Sequence, residues 1–139
     1  MWKYYAVLSA VFASLTAIFA KIGVAGINSN LATAIRTTII LFITWGIVLF
    51  SGTFPEVKGL TRNNWIFLIL SGAATGLSWL FYFKALQIGD ASKVAPIDKL
   101  SVVFTILLSF LILREPFSWK VIVGGCLIAA GGVVILLEK

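Results

Sequence analysis

The sequence predicts an all-α membrane protein built from five transmembrane helices. Hydrophobic residues make up 60% of its 139 residues and charged residues only 12%, whereas about a quarter of an average soluble domain is charged. The mean hydropathy is +1.07, which excludes intrinsic disorder because disorder requires low hydrophobicity. Five charge-poor runs approach the roughly 20 apolar residues with which a helix crosses a hydrocarbon core about 30 Å thick.

The five predicted helices follow one another in a single transmembrane domain, residues 1–139. They cover about residues 4–22, 31–50, 65–84, 93–113 and 119–137. The first follows Lys3, a basic flank that a secretory signal also has. No small-x-small cleavage site comes after it, so we expect a retained helix. A turn marked by Gly26 and Asn28 precedes the second helix, which contains one internal charge, Arg36.

Polar segments bound the last three helices. The loop 51–64 is too polar to lie in lipid. The apolar part of the fourth helix, 100–113, is too short to span a bilayer alone. We therefore expect Pro96, Asp98 and Lys99 within this helix or just at its start. If Pro96 occupies the first helical turn, the helix dipole would stabilise Asp98. Ser118 is the expected N-cap of the fifth helix.

The residue types present exclude several classes of function. With one cysteine, Cys126, and no histidine, the chain has no disulfide framework, zinc site or imidazole catalyst. It contains no recognisable catalytic dyad, so neither an enzyme nor a bound cofactor or metal is expected. The net charge is +6, but the basic residues lie between apolar runs rather than in a patch. Nucleic acid is therefore not an expected partner.

Tryptophans occupy two kinds of position. Trp2, Trp65 and Trp119 start helices one, three and five, on one side of the membrane that we name side A. Indole rings prefer this kind of interface. Trp79 lies inside the third span, close to Tyr82, and both suit the wall of an apolar binding cavity. The alternative for each is plain packing or contact with lipid.

Glycine is concentrated in two helices. The third contains the GxxxG motif Gly72 and Gly76, and the fifth contains Gly124, Gly125, Gly131 and Gly132. Small residues let helix backbones approach closely in lipid. The fifth helix is therefore predicted to pack closely against another helix, within a protomer or between protomers.

Charged residues gather at helix ends on the opposite side, side B. They are Lys21, Arg36, Lys84, Asp90, Lys93, Asp98 and Lys99. A charge at a helix centre costs about 2.5–3.5 kcal/mol on insertion scales. Snorkelling to the headgroups explains Lys21, Lys84 and Lys93. Arg36 and Lys99 lie inside their helices, which favours a polar cavity whose positive charge would suit an anionic or zwitterionic solute.

Three stretches are similar to a known family. They are Pro96-Ile-Asp-Lys-Leu-Ser, Leu113-Arg-Glu-Pro-Phe-Ser and the glycine-rich helix that follows. Together they resemble the EamA family of the drug/metabolite transporter superfamily. The pattern of that family has an Arg early in helix two, a Pro early in helix four and a Glu at its end, matched by Arg36, Pro96 and Glu115. The resemblance covers nearly the whole chain and implies half of an inverted-repeat, ten-helix transporter.

Typical members of that family fuse two such halves in inverted orientation around a central cavity, whereas this sequence holds one half. Three arrangements are therefore open: the chain transports alone, as a homodimer, or with a separate partner chain. The four-helix small multidrug resistance proteins are related and have an acid in their first helix, which residues 4–20 lack. We do not expect their proton-coupled cation mechanism here.

The basic residues permit insertion in both orientations. Side A has five, namely Lys3, Lys58, Arg62, Arg114 and Lys120. Side B has six, namely Lys93 and Lys139 in a loop or tail and Lys21, Arg36, Lys84 and Lys99 at helix ends. This near balance sets no orientation under the positive-inside rule, although loop charges alone favour side A by five to two.

The leading hypothesis is a carrier of small metabolites or drugs in the inner membrane of a prokaryote. It would be an antiparallel homodimer in the lipid bilayer, working by alternating access. The substrate-binding candidates are Arg36, Trp79, Tyr82, Asp98 and Lys99. Arg36 and Lys99 would hold anionic groups, and Asp98 would pair with one of them or bind a coupling proton. The alternative is a non-transporting membrane subunit, or a half-transporter that requires a partner.

Overall fold

The computed structural model describes residues 1–138 and shows helices joined by short turns. Lys139, counted above among the side B charges, lies outside the described residues. The α-helices are α1 (Trp2–Gly23), α2 (Ser29–Phe50), α3 (Arg62–Ile88), α4 (Ala91–Asp98), α5 (Ser101–Leu108) and α6 (Trp119–Leu136). A 3₁₀-helix, Phe54–Gly59, follows α2, and a π-helical turn, Ser109–Leu113, follows α5.

Five segments are long and apolar enough to cross a membrane. They are Trp2–Gly23, Ser29–Phe50, Arg62–Ile88, Ala91–Leu113 and Trp119–Leu136. The described residues contain no strand, so the prediction of an all-α protein with five transmembrane helices is confirmed. Large apolar side chains are exposed along all five segments, as expected where the surrounding solvent is lipid.

Contacts divide the chain into two compact units. The central unit is Ala20–Gln87, which holds the end of α1, α2 and most of α3. The terminal unit combines Met1–Phe19 with the chain from Ile88 onward, and so contains α4, α5 and α6.

In the central unit, the predicted turn before α2 is present. Gly26 has a φ of +75°, the left-handed conformation that glycine adopts at little cost. Asn28 then caps α2, because its side-chain oxygen accepts a hydrogen bond of 2.8 Å from the Asn30 N–H. The first turn of α2 is buried at Ser29 and Thr33. The Thr33 hydroxyl donates to the Ser29 carbonyl at 2.9 Å, which satisfies this buried polar group within the helix.

In the terminal unit, the fourth span is interrupted near its start. Pro96 lies inside α4, which begins at Ala91, so it is within the fourth span as expected, one turn beyond the first turn. The proline has no N–H to bond the carbonyl four residues earlier, and α4 ends two residues beyond it. The Lys99 N–H donates to the Pro96 carbonyl at 3.1 Å, and the Leu100 N–H also bonds three residues back, at 2.9 Å. These tighter bonds separate α4 from α5.

The fourth span ends in the π-helical turn. The Ser109 carbonyl accepts hydrogen bonds from the Arg114 N–H and, at 3.3 Å, from the Glu115 N–H. Arg114 has a φ of 53° and is the single non-glycine residue with positive φ in the described part of the chain. Beyond this reversal the rings of Phe110 and Phe117 meet, with centroids 5.7 Å apart.

The helix α6 packs against the fourth span through two of its four glycines. A Cβ atom at Gly125 would lie 2.6 Å from Ile106 Cδ1, and one at Gly132 would lie 2.8 Å from Leu100 Cδ2. The prediction of a closely packed fifth span is confirmed, within a single chain. The remaining four glycines of the two glycine-rich helices have open space around them, namely Gly72, Gly76, Gly124 and Gly131.

Both ends of α6 make specific contacts. Ser118 occupies the predicted N-cap position, and its carbonyl accepts from the Val121 N–H at 3.1 Å. Its hydroxyl makes no capping hydrogen bond. At the other end, Glu138 Oε1 lies 3.2 Å from Lys93 Nζ. Lys93, predicted at the boundary between a loop and the fourth helix with its ammonium group at the headgroups, lies inside α4 and forms this ion pair.

Candidate solute-binding site

Arg36 lies within the second span, against two aromatic rings of α3. It is seven residues past Ser29, about 10 Å along the helix axis at a rise of about 1.5 Å per residue. The guanidinium carbon lies 4.3 Å from the centroid of the Trp79 ring and 5.3 Å from that of Phe83. Both distances are within the range of a cation–π interaction, and the Arg36 side chain is half-buried.

The two rings share one face of α3. Trp79 and Phe83 are four residues apart, which places them one above the other on a helix. Phe83 is 3% exposed, and Leu86, one turn further along, is 0% exposed. Because Phe83 and Leu86 are buried, they fix the axial position and rotation of α3. The aromatic surface that the guanidinium contacts is thereby held in place.

Tyr82 precedes Phe83 in α3. Its ring contacts Phe83 edge-on, with centroids 6.5 Å apart and an interplanar angle of 67°. The structure thus brings together three of the five predicted site residues, Arg36, Trp79 and Tyr82. Phe83 was not among our candidates, although its spacing of four residues from Trp79 is a signal that could have identified it.

No carboxylate of residues 1–138 forms an ion pair with Arg36. The ion pairs among residues 1–138 are Lys93–Glu138 and Lys99–Asp98, and neither includes Arg36. A cation–π contact uses the face of the guanidinium, whereas its N–H groups point outward in the guanidinium plane and can bind a planar anion in bidentate fashion. The arrangement can therefore hold a carboxylate or phosphate beside an aromatic surface.

Asp98 and Lys99 belong to the terminal unit, at the break between α4 and α5. The Lys99 ammonium lies 3.5 Å from the Asp98 carboxylate, with side chains 56% and 38% exposed respectively. Asp98 closes α4 rather than opening it, so it lies at the helix end where the dipole disfavours an acid. The adjacent lysine compensates for that position.

Two further side chains stabilise the side B end of the central unit. The Lys21 ammonium donates to the Leu86 carbonyl at 2.7 Å, and the Gln87 amide donates to the Ile27 carbonyl at 2.6 Å. Lys21 thus reaches into the protein instead of snorkelling away from it. Lys84 is exposed and contacts Gln87 Oε1 at 3.4 Å.

Comparison with known proteins identifies the family. Residues 1–137 match the EamA-like transporter family. A Sinorhizobium sp protein named "Uncharacterized transporter in cobO 3'region" is 48% identical over 134 residues, which are 96% of this chain and 95% of that protein. No solved structure matches the chain. The resemblance noted in the sequence is confirmed, and both findings point to a transporter rather than an enzyme. The chain belongs to the EamA-like transporter family and is a multi-pass membrane transporter.

Proposed function

We propose that the chain carries small anionic or zwitterionic metabolites or drugs across the membrane by alternating access. The observation that carries this proposal is the position of Arg36, inside a transmembrane helix, on the rings of Trp79 and Phe83. An intramembrane charge is costly and requires a compensating interaction. The rings compensate in part, and the acidic group of a bound solute completes the compensation.

The surrounding side chains give each part of such a solute a partner. Arg36 binds the anionic group through its N–H edge. Trp79 and Tyr82 supply a flat apolar surface for the remainder of the solute. Because the aromatic contacts use none of the guanidinium N–H groups as hydrogen-bond donors to a carboxylate, Arg36 keeps its capacity to bind an anion.

The Asp98–Lys99 pair has a separate role in the proposal. The two side chains lie at an interruption of the fourth span, 3.5 Å apart, where a change in helix geometry would separate or join them. Lys99 binds an anionic group of the solute when a change in helix geometry separates it from Asp98. The pair then responds to the conformational change that transport requires.

We further propose that a single five-helix domain forms an antiparallel homodimer in the inner membrane of a prokaryote. The near balance of basic residues, five on side A and six on side B, supports insertion in both orientations. Two oppositely oriented protomers reproduce the inverted arrangement found in many transporters. The Sinorhizobium sp relative, aligned over 95% of its length, has a similar size.

Transport by purified protein in liposomes tests the function. The probes are radiolabelled glutamate, citrate and glucose 6-phosphate, with choline as the cationic comparison. We expect saturable uptake of at least one anionic or zwitterionic probe. Arg36→Ala should lower that uptake at least about tenfold, a loss of roughly 1.4 kcal/mol, and Arg36→Lys should lose less. The matched control is Lys84→Ala on exposed α3 surface, which should retain uptake. Uptake of choline alone, or full activity of Arg36→Ala, would overturn the proposal.

Orientation tests the assembly. Single cysteines replace Lys58 or Ser92 in a Cys126→Ser background and are labelled from outside intact cells with an impermeant maleimide. Partial labelling at both positions is expected for a chain inserted both ways. Labelling at one position alone would contradict the antiparallel homodimer, and the chain would then require an oppositely oriented partner chain or not transport.

A further inference from the structure

An apolar cavity lies between the fourth span and α6, in the terminal unit. Its volume is about 230 Å³. The lining residues are Val103, Ile106, Leu107, Phe110, Phe117, Ile122, Gly125 and Cys126. The close contact of Gly125 with Ile106 holds the two helices together beside it, and the Phe110–Phe117 pair bounds it at the reversal of the chain. None of these residues belongs to the candidate solute-binding site.

The cavity opens to the outside of the protein within the membrane-spanning segments. On its wall, Leu107 in the fourth span is 53% exposed, and Phe117 in the turn before α6 is 69% exposed. Both helices that form it are transmembrane spans, so the medium at the opening is lipid hydrocarbon. An empty cavity would leave its lining without contacts on one side. A flexible hydrocarbon chain can fill such a cavity without bringing any polar group into it.

Basic residues lie at the ends of the two spans that form the cavity. The turn that joins the two aromatic lining residues contains Arg114, and Lys120 is the second residue of α6. Glu115 in the same turn offsets one of these charges, which leaves the segment with a net positive charge. Basic residues at the ends of transmembrane helices attract anionic headgroups.

We propose that this cavity binds one acyl chain of an anionic phospholipid, with the headgroup held at Arg114 and Lys120. The lipid is a structural ligand that fills the space between α5 and α6. It is independent of the solute held at Arg36. A second copy of this chain inserting a side chain into the cavity is the competing occupant.

Photo-crosslinking tests the site. The full chain is placed in nanodiscs that contain phosphatidylglycerol with a diazirine in one acyl chain, and adducts are mapped by tandem mass spectrometry. We expect adducts concentrated on the cavity lining between residues 103 and 126. Unlabelled phosphatidylglycerol should compete better than phosphatidylcholine, by about fivefold for each basic residue engaged. Adducts spread evenly over the lipid-facing helices, or a crosslink joining two copies of the chain at the cavity, would overturn the proposal.

Variants of the cavity lining test the binding of the acyl chain separately from that of the headgroup. Cys126→Phe fills the cavity and should lower adduct yield about tenfold. Leu127→Phe adds the same bulk at a position that is 69% exposed and is not part of the lining, so it should change little. Cys126→Leu adds less bulk to the cavity and replaces Cys126→Phe in this test if the phenylalanine prevents folding. An unchanged yield in a folded Cys126 variant would overturn the site.

The headgroup part has its own control. Arg114→Gln and Lys120→Gln should each reduce the preference for phosphatidylglycerol, while Lys58→Gln, in the 3₁₀-helix, should leave it unchanged. An equal effect of all three variants would show general attraction of anionic lipid by net charge and would overturn the assignment of the headgroup.

Discussion

The ammonium group of Lys21 donates a hydrogen bond of 2.7 Å to the main-chain carbonyl oxygen of Leu86. The two residues are 65 positions apart, and the bond joins the last turn of α1 to the last turns of α3. Carbonyls in the last turn of a helix have no partner within that helix. A lysine from a neighbouring helix therefore satisfies one of them, and its positive charge lies at the end of α3 that the helix dipole makes negative.

Lys21→Met should destabilise the protein by about 1–2 kcal/mol, because a hydrogen bond to a charged donor is lost and the Leu86 carbonyl is left without this partner. Thermal unfolding in detergent, followed by tryptophan fluorescence, measures the change. Lys84→Met on the exposed side of α3 is the matched control, and we expect its unfolding temperature to stay near that of the unchanged chain. Equal losses in both variants would mean that charge near side B, rather than the hydrogen bond, sets the stability.

Trp79→Leu should lower the free energy of unfolding by about 1 kcal/mol, because it removes the cation–π interaction with Arg36. Such an interaction is weaker at exposed sites and stronger at desolvated ones, and this one is half-buried. It should also reduce uptake of anionic probes, since Arg36 then loses the surface that positions it. Phe81→Leu, two residues along and 75% exposed, provides the comparison in the same helix. A Trp79 variant that keeps its stability and activity would show that Phe83 alone positions the guanidinium.

Gly132→Val should destabilise the protein by about 1–3 kcal/mol through overpacking against Leu100. Gly131→Val places the same side chain in open space and should change the stability much less. Adding Leu100→Ala to Gly132→Val should recover part of the loss, because it removes the side chain that the new atoms meet. Failure of this double variant to recover would indicate that the helix backbone of Gly132, rather than the contact, is the cause.

Hydropathy and charge were sufficient to predict the five spans, since each needs only a long apolar run. The pairing of Arg36 with Trp79 was partly predictable, because a charge inside one helix and aromatic residues inside another both require a partner in lipid. Phe83 follows from helical spacing once Trp79 is chosen. The hydrogen bond from Lys21 to the Leu86 carbonyl could not be predicted. The sequence contains no signal that shows which side chain will bond an unpaired main-chain carbonyl at a helix end.

The glycines of α6 show the same limit. The sequence contains two stripes with identical spacing, one formed by Gly124 and Gly131 and the other by Gly125 and Gly132. Which stripe packs depends on the rotation of α6 against the fourth span, and that rotation is set by side chains such as Leu100 on the other helix. Periodicity thus predicted that a glycine face packs, and the structure was needed to identify which one.

The fourth span was predicted less well, because Pro96 is compatible with both the first turn and the interior of a helix. Pro96→Ala restores an N–H donor at this position and should raise the unfolding temperature, since proline inside a helix costs about 3 kcal/mol. If the interruption at Lys99 serves conformational change, uptake should fall while stability rises. Ser92→Ala in the first turn of α4 is the control. If uptake and the unfolding temperature both rise in Pro96→Ala, the interruption of the fourth span has no part in transport.

Position 114 has two conflicting requirements. Its positive φ favours glycine, whereas the proposed headgroup contact requires a basic side chain. A left-handed backbone costs a side-chain-bearing residue about 1 kcal/mol, which glycine would not lose. In a library randomised at position 114, selection for the yield of folded protein should therefore enrich glycine. Selection for retained phosphatidylglycerol should enrich arginine and lysine instead, so the two screens would rank the same substitutions in opposite order.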